Sequence, residues 1–288
     1  MQKILFIGAT GMLGKPVARQ LIKTGFDVTL LVRDEKKSRS LFPRASVING
    51  DLYNKQTLVK AMQGQQAVYM NLSVAQQSRQ KDLQPEREGI DNIIAAAKET
   101  GIQRLVYLSS LVHFYNGMNN FSWWAFDIKQ SAVTKIKAAG IPYTIFYPST
   151  FMETFPYQMM QGNKIALLGK SEMPMWFIAA EDYARQVAKS FTMATTENRE
   201  YVIQGEEPYT FDEAGKIFIE NYSKKKLKMM GVPIGLIKLL GNFSSKLNYG
   251  WHICEALNKY PEKFESEQTW KDLGTPETSL AKYAKSLK

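Results

Sequence analysis

The chain is poor in the residues that build disulfides and metal centres. A single cysteine, Cys254, excludes an internal disulfide. With only His113 and His252 beside it, no group of residues has metal-ligand spacing, so no structural metal is expected. No apolar run reaches the length of a membrane span, and Met1-Gln2-Lys3 passes at once into Ile4-Leu5-Phe6-Ile7, leaving no room for a signal peptide. These absences predict a cytoplasmic protein without a membrane span. Internal repeats and low-complexity linkers are also missing. What remains is ordinary globular material: 288 residues, 44% hydrophobic and 22% charged. The net charge of +10 is spread along the chain, apart from Lys224-Lys225-Lys226-Leu227-Lys228. It reads as a solvated surface, and no nucleic-acid partner is expected.

Hydrophobic periodicity gives the fold class. Short β-branched or aliphatic runs at 3–7, 27–32, 46–49, 67–71, 104–109 and 142–146 alternate with amphipathic stretches at about 12–24, 54–63, 86–100 and 128–139. Gly25 and Gly140 stand where the first and last of these helices should end. The alternation predicts an α/β, doubly wound parallel sheet of Rossmann type over residues 1–150. Residues 151–288 should form a smaller substrate or lid lobe, possibly interleaved with the first. It would hold helices near 180–194 and 210–223, a strand near 199–204, an apolar helical stretch over 231–258 and a terminal helix from Thr278 to Lys288.

The first strand runs into Gly8-Ala9-Thr10-Gly11-Met12-Leu13-Gly14, which opens the first helix. Glycines at this spacing permit a tight turn, close backbone approach to a diphosphate and close helix packing, while the helix N-terminus offers free N–H groups to the phosphates. At the end of the second strand, where an acid would hold the ribose 2′-hydroxyl of NAD, stands Arg33, with Lys37 close behind. That predicts NADP(H) in preference to NAD(H), unless Asp34 or Glu35 reaches the ribose. Asp51 and Leu52 end the third strand, suited either to an adenine or to capping the next helix. Asn71, Leu72 and Ser73 end the fourth strand and Ser109 the fifth, along the route toward the nicotinamide. The aromatic residues Trp123, Trp124, Phe151 and Phe155 suit a largely apolar substrate pocket or, equally, core packing between lobes.

These residues resemble the atypical short-chain dehydrogenase/reductases, in particular the NmrA-like and isoflavone-reductase-like branch. Gly-Ala-Thr-Gly-x-x-Gly at 8–14 and Leu-Val-Arg-Asp at 31–34 are similar to its signatures. So are Ala139 to Pro148 (family pattern SGxxYTxxRPxxFM, continued by Phe151-Met152-Glu153), Ile178 to Ala184 (xVxxxDxA) and Tyr201 to Gly205. The likeness extends to about residue 235.

The departures bear on chemistry. Short-chain dehydrogenases carry Tyr-x-x-x-Lys, whose lysine lowers the tyrosine pKa for proton transfer. Here Lys129 holds the lysine position, but Ala125 stands where the tyrosine belongs, and Tyr147 replaces the family arginine before Pro148. In the isoflavone-reductase-like branch the resemblance implies a lysine acid near this place, which makes Lys129 the candidate proton donor, or else a ribose contact. His113 and Tyr115 are alternative donors, and Tyr147 and Pro148 are candidate cofactor contacts. The expected activity is NADPH-dependent reduction of a small carbonyl or quinone-like compound. The alternative is a non-catalytic NmrA-type protein that binds NADP(H) and a regulatory protein partner. A sugar-nucleotide epimerase ranks third, because it would need the missing tyrosine.

Overall fold

A computed structural model describes residues 2–194 and 196–287. In chain order its elements are β1 (Lys3–Ile7), α1 (Gly14–Lys23), β2 (Asp27–Val32), α2 (Glu35–Leu41), β3 (Ser46–Asn49), α3 (Lys55–Met62), β4 (Ala67–Met70), α4 (Ile90–Thr100), β5 (Arg104–Leu108), α5 (Trp124–Lys137) and β6 (Tyr143–Pro148). There follow β7 (Met160–Gln161), β8 (Lys164–Leu168), β9 (Met175–Trp176), α6 (Ala180–Ser190), β10 (Arg199–Ile203), β11 (Pro208–Tyr209), α7 (Phe211–Asn221), β12 (Lys228–Val232), α8 (Ile234–Gly241), α9 (Ser245–Lys259), α10 (Glu267–Leu273) and α11 (Leu280–Ser286).

Seven strands make one all-parallel sheet in the order β10-β6-β5-β4-β1-β2-β3. Its strands read as continuous apolar runs because helices cover both faces. Alternation along β1 divides the core. Ile4 and Phe6 pack with residues of α1 and α6, whereas Leu5 and Ile7 pack with residues of α3, α4 and α5. The chain turns outward in both directions from the β1–β4 pair, so the crevice between their carboxyl ends is the switch point where such sheets bind ligands.

The chain beyond residue 150 does not stay in a separate lobe. β10 pairs with β6 from Arg199↔Thr144 to Ile203↔Pro148, and α6 packs on α1, so both complete the first domain. The interleaving arises because these elements carry the apolar faces that cover the sheet's β6 edge. The second lobe keeps its own core of Phe155, Phe177, Phe211, Phe218 and Tyr283, with a three-stranded sheet β12-β8-β7. Asp182, from the xVxxxDxA stretch, is buried and accepts the backbone N–H groups of Glu277 and Thr278 at 3.1 Å each, tying the C-terminal segment to α6.

Several boundaries differ from those expected. The 231–258 stretch is no single helix. Its first residues end β12, Pro233 precedes α8, and the chain breaks at Asn242 before the Ser244 side chain caps α9 by accepting the Leu247 N–H at 3.4 Å. α5 begins four residues before the expected 128, because Trp123 is the extended residue that starts it. The helix expected from residue 86 opens with a wide turn at Pro85–Gly89 and becomes α-helical at Ile90. Of the expected terminal helix, Lys288 lies outside the described residues.

Candidate functional site

The glycine turn sits at the switch point, and its three glycines do different things. Gly8 has φ +90°, and a Cβ there would lie 2.1 Å from the Asn71 carbonyl oxygen. A Cβ on Gly14 would lie 2.1 Å from the Gly8 carbonyl oxygen, so Gly14 serves helix–strand packing and lies outside the groove lining. Gly11 is different. A Cβ there meets nothing closer than 3.5 Å, and the residue lines the groove itself. The chain therefore leaves the groove side of the turn bare where the fold does not require it, which is the shape a diphosphate needs.

Two cavities meet over this turn and share Gly8, Gly11, Asn71, Leu72 and Ser73. The first, about 450 Å³, is lined by Thr10, Arg33, Lys37, Asp51 and Leu52. Arg33 is exposed, and among the described residues its guanidinium has no ion-pair partner. The neighbouring acids are engaged elsewhere. Asp34 caps α2, accepting the Lys37 N–H at 3.0 Å, and Glu35 pairs with Arg39 at 3.0 Å. Asp51 does not cap α3, since Asn54 does so; its carboxylate accepts the Tyr53 N–H at 3.1 Å.

The second cavity, about 420 Å³, is lined by Met12, Leu13, Ser109, Lys129, Pro148 and, among the aromatic residues, Trp123, Phe126 and Phe151. Its roof is α9, through Tyr249, Ile253 and Leu257. Lys129 reaches this wall one helical turn after Ala125, which also lines it. The Lys129 ammonium lies 2.5 Å from Oε1 of Glu86, whose side chain is fully buried. The same oxygen accepts a hydrogen bond from the Tyr107 hydroxyl, while Oε2 of Glu86 has no partner among the described residues. Burial, and then the Glu86 charge, push the Tyr107 phenol well above its ordinary range, so it is a donor and no phenolate.

Other candidates stand apart from this cavity. Tyr115 stacks on Tyr260, with ring centroids 5.2 Å apart, because the loop after β5 turns it into the cluster beneath α9. Tyr147 shares the sheet face of Ile145, so alternation carries it away from the groove, and its hydroxyl donates to Glu200 at 2.7 Å. Phe155 is fully buried in the second lobe, stacked on Phe218 at 5.1 Å. Trp124 lines a separate outer pocket. His113 is buried behind the wall, its Nδ1 2.5 Å from the Ser110 carbonyl oxygen, which makes that nitrogen the protonated one. Burial, aided by the Lys129 charge, lowers its pKa to about 4, so the ring is neutral near pH 7.

Glu86 went unread in the sequence, and α9 was read only as part of an apolar helical stretch in a lid lobe, without the residues that form the roof. Pro85-Glu86 belongs to no motif, and the apolar positions of α9 look like any buried stripe.

The seven-stranded parallel sheet and the glycine turn at its switch point define a chain of the NAD(P)-binding Rossmann class. Its family follows from comparison. The family model of the NmrA-like family matches residues 1–282, and the chain belongs to that family. Among curated relatives it is 26% identical over 263 residues to the photosystem II assembly factor Ycf39 of Trieres chinensis, covering 88% of this chain and 79% of that protein. It is 25% identical over 305 residues to a phenylcoumaran benzylic ether reductase of Populus trichocarpa, covering 90% and 94%. Among solved structures it is similar to the Citrobacter sp. triphenylmethane reductase complexed with NADP(H), at a TM-score of 0.74 and 20% identity over 98% of this chain and 99% of that one.

Proposed function

We propose that this protein is an NADPH-dependent reductase of a small carbonyl or quinone-like compound. The observation that carries the reading is Lys129, a lysine held by a buried carboxylate on the wall of a largely apolar cavity that is continuous with the glycine turn. Gly11 and the free N–H groups of α1 would hold the diphosphate, Arg33 and Lys37 a 2′-phosphate, and Asp51 and Leu52 the adenine. Asn71, Ser73, Ser109 and Pro148 would line the route to the nicotinamide. Bound NADPH supplies hydride. The protein's own part is to exclude water with Trp123, Phe126, Phe151 and the α9 roof, and to deliver a proton from Lys129 Nζ to the oxygen being reduced. Glu86 holds that ammonium in place through a charge-assisted hydrogen bond. Relatives named as reductases support the reading. The test is oxidation of NADPH, followed by nicotinamide absorbance, with a panel of quinones and aldehydes. Saturable turnover of at least one class is expected. NADPH binding without turnover across the panel would overturn it.

A second reading, a scaffold that binds a protein partner, is favoured by the outer face of α8, where Leu236 and Leu239 are 51% and 62% exposed, and by the assembly factors among the relatives.

A further inference from the structure

The tyrosine that should precede Lys129 is missing from α5, where Ala125 stands one turn earlier, but a phenol enters the cavity from its other side. The roof helix α9 presents Tyr249 there, with Ile253 and Leu257 one and two turns further on, so the three share one face. Ala125, Lys129, Glu86 and Tyr249 thus line a single cavity.

The position of that phenol follows from its neighbours. The Tyr249 ring meets the Trp123 ring edge-on, with centroids 5.0 Å apart, and Trp123 is the residue that starts α5, two before Ala125. Burial, and then the charge of Glu86, push the Tyr249 phenol up to about 12. It therefore stands within electrostatic reach of the carboxylate that holds Lys129, and it keeps its proton near pH 7. Tyr249 also borders the outer pocket, but Glu86 lines only the inner cavity, which puts the hydroxyl on the inner side. That hydroxyl is uncommitted. Among the described residues it makes no hydrogen bond, and it is not one of the enclosed polar atoms that go without a partner, so open space lies before it. The other phenols nearby are engaged: Tyr107 donates to Glu86, Tyr147 to Glu200 and Tyr260 to the Met118 carbonyl oxygen.

Resting on the reductase reading, we infer that Tyr249 is a second catalytic residue, a phenol that donates a hydrogen bond to the same substrate oxygen that Lys129 protonates. As hydride adds to the acceptor, the carbonyl π pair moves onto that oxygen. Tyr249 holds the developing charge and keeps its own proton, Lys129 Nζ gives up one proton to form the new O–H bond, and the neutral amine regains a proton from water. The cavity rebuilds a tyrosine–lysine pair from two helices, the lysine from α5 and the phenol from α9.

Tyr249→Phe tests this, because it keeps the ring against Trp123 and the roof over the cavity and removes only the hydroxyl. Its melting temperature should stay within a few degrees of the unmodified protein. Its kcat on the best quinone or aldehyde of the panel should fall about a hundredfold, the low end of what one such donor contributes, with little change in NADPH affinity. The fall should persist in the Glu86→Gln background, since a hydroxyl that acted only by holding Glu86 would lose its effect there. A second readout needs no turnover. With NADP+ bound, p-nitrophenolate offers a charged oxygen like the one formed in the reaction, and a titration followed by its absorbance should show about tenfold weaker binding to Tyr249→Phe, the loss of one hydrogen bond to a charged group. Tyr249-dependent phenolate binding with no substrate reduced would sustain the donor and sink the reductase reading. Unchanged kcat in Tyr249→Phe, loss of its effect in Glu86→Gln, or the lack of any hydroxyl-dependent phenolate binding would overturn the assignment.

Discussion

Arg33→Ala tests the cofactor assignment most directly. In the structure the guanidinium at the end of β2 is exposed and free of ion pairs among the described residues, while both following acids are engaged, Asp34 in capping α2 and Glu35 in pairing with Arg39. A 2′-phosphate carries close to two negative charges and meets a planar guanidinium in paired hydrogen bonds. Hydrogen bonds to charged groups contribute about 1.5–3 kcal/mol each, and exposure places this one at the lower end, so losing it should cost roughly tenfold in NADPH affinity. NADH affinity should barely move, because Arg33 would have nothing charged to meet on an unphosphorylated ribose. The contact is ionic and partly exposed, so the preference should shrink as salt rises. Competition titrations of both cofactors against both proteins, at low and high salt, measure all three quantities. Equal affinity of the unmodified protein for NADH and NADPH would refute the reasoning and return the ribose to Asp34 or Glu35, one of which would have to leave its present partner.

The glycines separate binding from folding. Gly11→Val should keep its melting temperature within a few degrees and lose dinucleotide binding in a calorimetric titration, whereas Gly14→Val should unfold at markedly lower temperature, since its Cβ would meet the Gly8 carbonyl oxygen at 2.1 Å. Lys129→Met should lower kcat by two or more orders of magnitude with a small effect on cofactor affinity, as expected of a general acid; unchanged turnover would remove it from the site. Glu86→Gln keeps the shape but weakens the hold on the ammonium, so kcat should fall less than in Lys129→Met and its pH profile should move. His113 titrates at about 4 when folded against about 6.5 unfolded, so it stabilises the fold above pH 6.5, and that contribution is lost as pH falls from 6.5 toward 4. The upper bound is about 3 kcal/mol, and denaturant titrations of His113→Asn should show a flatter fall in stability over that window.

What could be read from the sequence was whatever rests on local periodicity or on a turn. The sheet strands were legible because a parallel sheet covered on both faces demands unbroken apolar runs, and Gly8 and Gly14 were legible because a Cβ at either would lie 2.1 Å from a backbone carbonyl oxygen, whereas Gly11, whose Cβ would meet nothing closer than 3.5 Å, was legible only from its spacing in the turn. β10 was found as a strand but assigned to the second lobe, since its pairing with β6 joins residues 55 apart at Arg199↔Thr144, a distance no local pattern records. Short β7, β9 and β11, two residues each, carry too few side chains to show alternation.

The same distinction governs the site. Lys129 announced itself by its spacing from an absent tyrosine, but the group that holds it, Glu86, comes from a turn 43 positions earlier and meets it only because α5 packs against the segment entering α4. A charged side chain buried completely beside an apolar cavity is costly unless it is paired, so the pairing is the reason Glu86 is tolerated there. Conversely, Phe155 looked like a pocket residue and Tyr115 like a proton donor, because aromatic side chains serve cores and sites alike. Which of the two they serve depends on the local backbone: Phe151, bridged to Ile178, lines the cavity, and Phe155, which opens the helical turn after it, faces Phe218. The proposed catalytic pair in this chain is therefore a tertiary property laid over a locally encoded glycine turn. Substitution of Gly11 should act on binding alone, while those at Lys129 and Glu86 should act on each other, giving a double-mutant coupling that the separate effects of Gly11 and Lys129 should lack.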